Sequence, residues 1–91
     1  MGLTTDVHDV DIEGVAVQVR GTTGAVHATW ELLIAGEQVD SAAAAGDFTL
    51  TGALPDGSPV RAAVHQSLVG PTRVVVRHGE REVAEFRGFV A

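Results

Sequence analysis

Four histidines, three serines and twelve carboxylates are the residues with which this chain can do chemistry. His8, His27, His65 and His78 stand at no H-x-H or H-x₃-H spacing, so no local pair is preset for a metal. His27 and His65 share the outward parity of their segments and can meet across a sheet. Zinc would still need a third ligand and groups that orient all three, so the histidines read as scattered surface residues. Asp9, Asp11 and Glu13 alternate along one segment, a carboxylate ladder of about 7 Å per step. Calcium wants oxygens converging on one point, and a ladder diverges. The ladder reads instead as an edge strand kept from aggregating by its charges. Ser41, Ser58 and Ser67 stand in no G-x-S-x-G context, and there is no Cys, Lys or Tyr to activate. A Ser67–His65 pair on one strand face is ordinary surface alternation. The segment "GTTG" at 21–24 lacks the Lys and the following helix of a phosphate loop. No catalytic residue, cofactor site or metal ligand is assigned, and an enzyme is not expected.

Charge and composition narrow the class further. The formal net charge is −6, yet residues 61–91 hold five of the six Arg. A domain this acidic is repelled by phosphates, which speaks against nucleic acid. Having Arg and no Lys fits a GC-rich bacterial genome, and guanidinium also suits interface ion pairs. The absence of Cys excludes a disulfide framework and thiol chemistry. No apolar run approaches the ~18 residues of a membrane span. The start "MGLTTDVHDV" has no basic region followed by an apolar one, so the expectation is a cytoplasmic protein.

The elements that must position these groups are strands. Val15, Val17 and Val19 alternate with Ala16, Gln18 and Arg20; Trp30, Leu32 and Ile34 share one face; so do Phe48, Leu50 and Leu54, and Val60, Ala62, Val64 and Leu68. Turn residues separate these runs at 21–24, "AGE", "PDGS", "GPT" and "HGE". The pattern predicts a single all-β domain over residues 1–91, with 1–5 a flexible N-terminus. It is an antiparallel meander of hairpins, seven or eight strands folded into a sandwich or flattened barrel. The expected core is Val17, Trp30, Leu32, Ile34, Phe48, Leu50, Val64 and Phe86 or Phe89. In "EVAEFRGFV" the two apolar parities conflict, and a bulge near Gly88 would reconcile them. "SAAAAG" (41–46) reads as the end of a strand, with a short helical turn as the alternative.

Gly36, Gly57 and Gly79 are the structural turn residues. "LPDGS" has the signature of a type I turn with a G1 bulge at Gly57. "IAGE" and "RHGE" read as the same three-residue loop, because a two-residue type I′ loop would force Ala35 or His78 to positive φ. A shift of 43 carries Thr29, Gly36 and Glu37 onto Thr72, Gly79 and Glu80. It also carries Trp30, Leu32 and Ile34 onto Arg73, Val75 and Arg77. The echo therefore reads as a reused hairpin and not as a duplicated site.

Two strands are apolar on both faces: Leu33 stands opposite Leu32 and Ile34, and Val75, between Arg73 and Arg77, opposes Val74 and Val76. A second apolar row needs a second cover. Leu33, Val75, Arg73 and Arg77 are therefore the candidate interface, with a homodimer as the expected partner and another protein next. The acidic N-terminal strand and the Arg-rich C-terminal hairpin offer complementary charge, within a chain or between chains. "RGTTGAV" (20–26), "IAGEQV" and "RHGEREV", in that order, resemble the Fas apoptosis inhibitory molecule family across about half of the chain. The Lys- and aromatic-rich character of that family is missing. The resemblance implies a small eight-stranded antiparallel sandwich with a non-enzymatic, protein-interacting role, and it carries over no site residues. The functional expectation is a non-catalytic interaction or assembly module of a bacterial cytoplasm. A small barrel holding an apolar ligand is the alternative, and a metal-dependent enzyme is third.

Overall fold

A computed structural model of the chain describes residues 5–22, 28–43, 46–66 and 72–89. Strands make up nearly all of it: β1 (Thr5–Ile12), β2 (Val15–Thr22), β3 (Thr29–Ile34), β4 (Glu37–Ala43), β5 (Phe48–Ala53), β6 (Pro59–His65), β7 (Thr72–His78) and β8 (Arg81–Phe89). They form two four-stranded antiparallel sheets, β1-β2-β3-β4 and β5-β6-β7-β8, each a plain up-and-down meander. The fold is the all-β sandwich of hairpins that the alternation predicts.

The alternating apolar residues meet between the sheets. Val17, Val19, Trp30, Leu32 and Ile34 of one sheet pack on Leu50, Val60, Ala62, Val64, Val74 and Val76 of the other. Phe48 and Phe86 pack against this core half-buried, while the Phe89 side chain lies outside the described residues. Trp30 is fully buried against Gly21, its cross-strand partner. Its Nε1–H donates to Gln66 Oε1 at 3.2 Å, and Gln66 Nε2 donates in turn to the Gly46 carbonyl at 3.1 Å. A buried indole N–H needs such a partner.

Where the sheets meet edge to edge, side chains replace the missing ladder. Asp40 of β4 accepts the Thr51 N–H of β5 at 2.8 Å and the Ser41 N–H at 2.9 Å. Val39 lies over Gly52 in the same seam. At the opposite seam His8 of β1 stacks on Phe86 of β8, ring centres 4.6 Å apart.

Two turns, at Gly36 and Gly79, depart from the expected three-residue loop. Ala35–Gly36 is a two-residue connection with positive φ at both residues (54° and 81°), the type I′ pattern. Ala35 accepts the left-handed conformation that the sequence argument denied it, because its N–H is held by Ala16 O at 2.8 Å and the strands are zipped up to the turn. Glu13–Gly14 turns in the same way (52° and 81°), so Glu13 leaves the carboxylate ladder at Asp11. Gly79–Glu80 is also two residues long, with positive φ at Gly79, the type II′ pattern. Leu54–Ser58 does form the type I turn with a G1 bulge: Gly57 N–H donates to Leu54 O at 2.8 Å, and Gly57 sits at φ 88°. Ser41–Ala43 are strand, and positions 44–45 lie outside the described residues.

The internal echo is larger than one hairpin. Core-facing Val17, Val19 and Gly21 correspond to Val60, Ala62 and Val64 at a shift of 43, and Trp30 and Leu32 to Val74 and Val76 at a shift of 44. On β4, Val39 is the unpaired bulge residue between Gln38 and Asp40; on β8 it is Val83, between Glu82 and Ala84, again 44 positions on. The three-residue loop at Pro55–Gly57, against two residues at Glu13–Gly14, moves the frame of β1 against β5 to 42. A uniform shift of 43 hides the match because such one-residue frame changes flip every side chain to the other face. A second β8 bulge leaves Gly88 unpaired, where the conflicting parity of "EVAEFRGFV" called for one.

Candidate functional site

Two places gather reactive or charged side chains: a groove at one end of the β1/β8 seam, and the outer face of β5–β8. The groove holds about 460 Å³ and is lined by Asp11, Ile12, Glu13, His78, Arg81 and Val83. At its wall His78 Nε2 lies 2.8 Å from Ser58 Oγ and 3.4 Å from Glu13 Oε2. A hydroxyl, an imidazole and a carboxylate in contact invite comparison with a nucleophilic relay. In such a relay the hydroxyl gives its proton to one ring nitrogen while the carboxylate holds the other. Here both oxygens face the same nitrogen. The Ser58 hydroxyl is already committed, donating to Asp56 Oδ1 at 2.5 Å. Ser58 must therefore accept from His78 Nε2–H, the reverse of what a nucleophile needs.

Asp56 also accepts the Ser58 N–H at 2.9 Å. The hydroxyl bond first, then the backbone bond, hold its carboxyl below the usual aspartate range, and the charge of His78 adds to them. The network ties the β5–β6 turn to the end of β7 and to the β1–β2 turn. It joins residues that the sequence reading kept apart; the only hint was the "DGS" turn, where an Asp side chain can reach the N–H two residues on. The other candidates stay separate. His65 sits on the outer face of β6, 3.3 Å from Asp47, whereas His27 and Ser67 lie outside the described residues. Among the described residues no three His, Asp or Glu side chains gather as a metal would require.

The outer face of β5–β8 is built from the odd positions of β6 and β7 and their β8 partners. In register, Arg61 faces Arg77, His65 faces Arg73, and Arg73 faces Arg87. Between them Ala63, Val75 and Glu85 form a middle row. Glu85 serves two cations, 3.5 Å from Arg73 and 3.4 Å from Arg87. Arg61 and Arg77 have no carboxylate within ion-pair distance among the described residues. Val75 is only 6% exposed although it points away from the core, and Arg73 and Arg77 beside it are exposed.

Leu33, the other candidate interface residue, is half-buried on the outer face of β1–β4. Around it stand Asp9 and Asp11 of β1, Gln18 and Arg20 of β2, and Glu31 of β3. Arg20 lies 3.9 Å from Glu31 and donates to Gln18 at 3.1 Å; Gln18 donates to Asp9 at 2.8 Å. One outer face thus carries four Arg against Glu82 and Glu85, and the other three acids against one Arg. The large apolar side chains most exposed among the described residues are Val7, on the acidic face at 45%, and Val39 in the seam at 43%. No helix among the described residues is long and apolar enough to cross a membrane. No protein-family model matches the chain, and no curated protein or solved structure shows significant similarity to it.

Proposed function

We propose that the chain is a non-catalytic protein-interaction module that docks an acidic protein surface on the outer face of β5–β8. The observation that carries this reading is the cross-strand register of Arg61 on Arg77 and Arg73 on Arg87. Like charges directly opposite one another destabilise a sheet. Glu85 offsets the Arg73–Arg87 pair within the chain, but Arg61 and Arg77 have no carboxylate within ion-pair distance among the described residues, and an anionic partner turns that repulsion into attraction. The planar guanidinium fork matches a carboxylate in two-pronged geometry. The committed Ser58 proton supports the same side of the argument, since it leaves the one serine–histidine contact among the described residues unsuited to nucleophilic attack.

A protein fits this face better than a nucleic acid. Single strands bind on aromatic platforms in a basic groove. This face carries Glu82 and Glu85 instead, and the chain as a whole is at −6. The test is titration of a polyglutamate peptide at about 50 mM salt, where screening is weak. Wild type is expected to bind, and R61Q/R77Q to bind roughly 2- to 30-fold more weakly, as expected from two exposed ion pairs at about 0.2–1 kcal/mol each. Equal binding by the variant, or tighter binding of an oligonucleotide than of the peptide, overturns the reading.

A further inference from the structure

Leu33 and Val75 stand on opposite outer faces of the sandwich, one on β3 and the other on β7. An isologous two-fold contact presents the same patch from both copies. No such contact covers both faces at once. Packing one face of a copy against the other face of the next covers half-buried Leu33 together with the arginines that flank Val75, itself already buried at 6% exposure.

The charges divide along the same line. Asp9, Asp11 and Glu31 outnumber Arg20 on one face, while Arg61, Arg73, Arg77 and Arg87 outnumber Glu82 and Glu85 on the other. We infer that the acidic partner of the arginine face is the outer face of β1–β4 on a second copy, so that chains stack head to tail; this rests on the docking face proposed above. Like faces brought together would set Arg61 and Arg77 against their own copies, or Asp9 and Asp11 against theirs. Unlike faces set carboxylates about 7 Å apart along β1 against guanidiniums on neighbouring strands. Val7, 45% exposed beside Arg20, is apolar surface that the same contact covers. Each face is at most 40 × 22 Å, of the order of the ~800 Å² that each partner contributes to a stable complex.

Head-to-tail contact leaves a free acidic face at one end and a free arginine face at the other. It therefore does not close at a dimer unless the rotation between copies happens to make a ring. Average mass should climb with concentration and fall with salt, since the screening length drops from ~10 Å at 0.1 M to ~3 Å at 1 M.

Two blunted variants test the geometry by sedimentation velocity. R61Q/R77Q keeps the acidic face only, and D9N/D11N keeps the arginine face only. Both changes leave the fold's contacts in place. In D9N/D11N the carboxamide oxygens can still accept the Gly14 N–H and the Gln18 amide, the bonds that Asp11 and Asp9 accept in wild type. Each variant alone should be monomeric, their equimolar mixture should form a one-to-one dimer, and wild type should form larger species that ~1 M salt dissolves. A wild type that stays monomeric at high micromolar concentration overturns the inference, and so does a D9N/D11N variant that self-associates like wild type or a mixture that forms no dimer. If polyglutamate binds wild type while self-association is absent, the docking face stands and only the identity of its partner falls. If neither occurs, both fall.

Discussion

Among the described glycines, Gly21 is the one where an added methyl group meets the closest contact. It is buried on β2, directly across from Trp30 on β3, and the indole lies over its Cα. A Cβ built there would sit 2.6 Å from Trp30 Cζ3 and 2.9 Å from both Cε3 and Cη2. Carbon atoms prefer about 3.5–4.0 Å, so the ring must retreat by about an ångström. It has little room, because Trp30 is 0% exposed and its Nε1–H is held by Gln66 at 3.2 Å. Overpacking of this kind costs about 1–3 kcal/mol. A ring that moves off Gln66 also gives up that hydrogen bond, for a further ~1 kcal/mol. The expected loss for Gly21→Ala is therefore about 2–4 kcal/mol, a Tm drop of roughly 8–32 °C for a domain of this size. Trp30 is the sole tryptophan, so its own fluorescence reports both the transition and any exposure of the ring. A variant that melts within about 2 °C of wild type with an unshifted emission maximum refutes the argument.

The other expectations are smaller and local. Gly52→Ala places a Cβ 2.7 Å from Val39 Cγ2 and 2.9 Å from Ile34 Cδ1; Val39 is exposed enough to yield, so urea denaturation should show about 1 kcal/mol of loss, largely recovered when Val39→Ala is added. Ala35→Gly relieves a left-handed alanine at φ 54° and should raise the urea midpoint by the equivalent of about 0.5–1 kcal/mol; an unchanged or lower midpoint contradicts the type I′ turn. Ser58→Ala removes the hydroxyl that chiefly depresses the Asp56 pKa. A depressed carboxylate stabilises the fold above its unfolded value of about 3.9 and loses that contribution as pH falls through the lower folded value. The Asp56 titration, followed by carboxyl NMR, should move upward in S58A, and a titration that stays in place argues against the hydroxyl bond.

Much of the architecture was legible because strand periodicity is local. Val17 and Val19, then Trp30, Leu32 and Ile34, alternate with polar neighbours, and a period of two already tells which side chains must share a face. Gly57 was equally readable, since Pro-Asp-Gly prescribes its turn residue by residue. Ala35 departs from its local preference for the opposite reason. Its intrinsic dislike of positive φ is about 1–2 kcal/mol, and the zipped β3–β4 ladder and the bond to Ala16 outweigh it. The repeat was half-seen, because bulges at Val39 and Val83 and one longer loop change the frame, and frame is a property of pairing.

For the candidate sites the division is sharper. The residue types that could act, and the run of Arg in the last third of the chain, are present in the sequence itself. Composition also determined, by itself, that no thiol or lysine chemistry exists here. Whether residues far apart in the chain meet depends on which strands pair and which sheet they join. Only the tertiary structure set Ser58, Asp56, His78 and Glu13 in one network and aimed the serine proton away from the imidazole. It also put Leu33 and Val75 on opposite faces and laid Arg61 beside Arg77. A strand carries its alternation wherever it goes, but its neighbours, and hence its charges' partners, come from the assembled sheets.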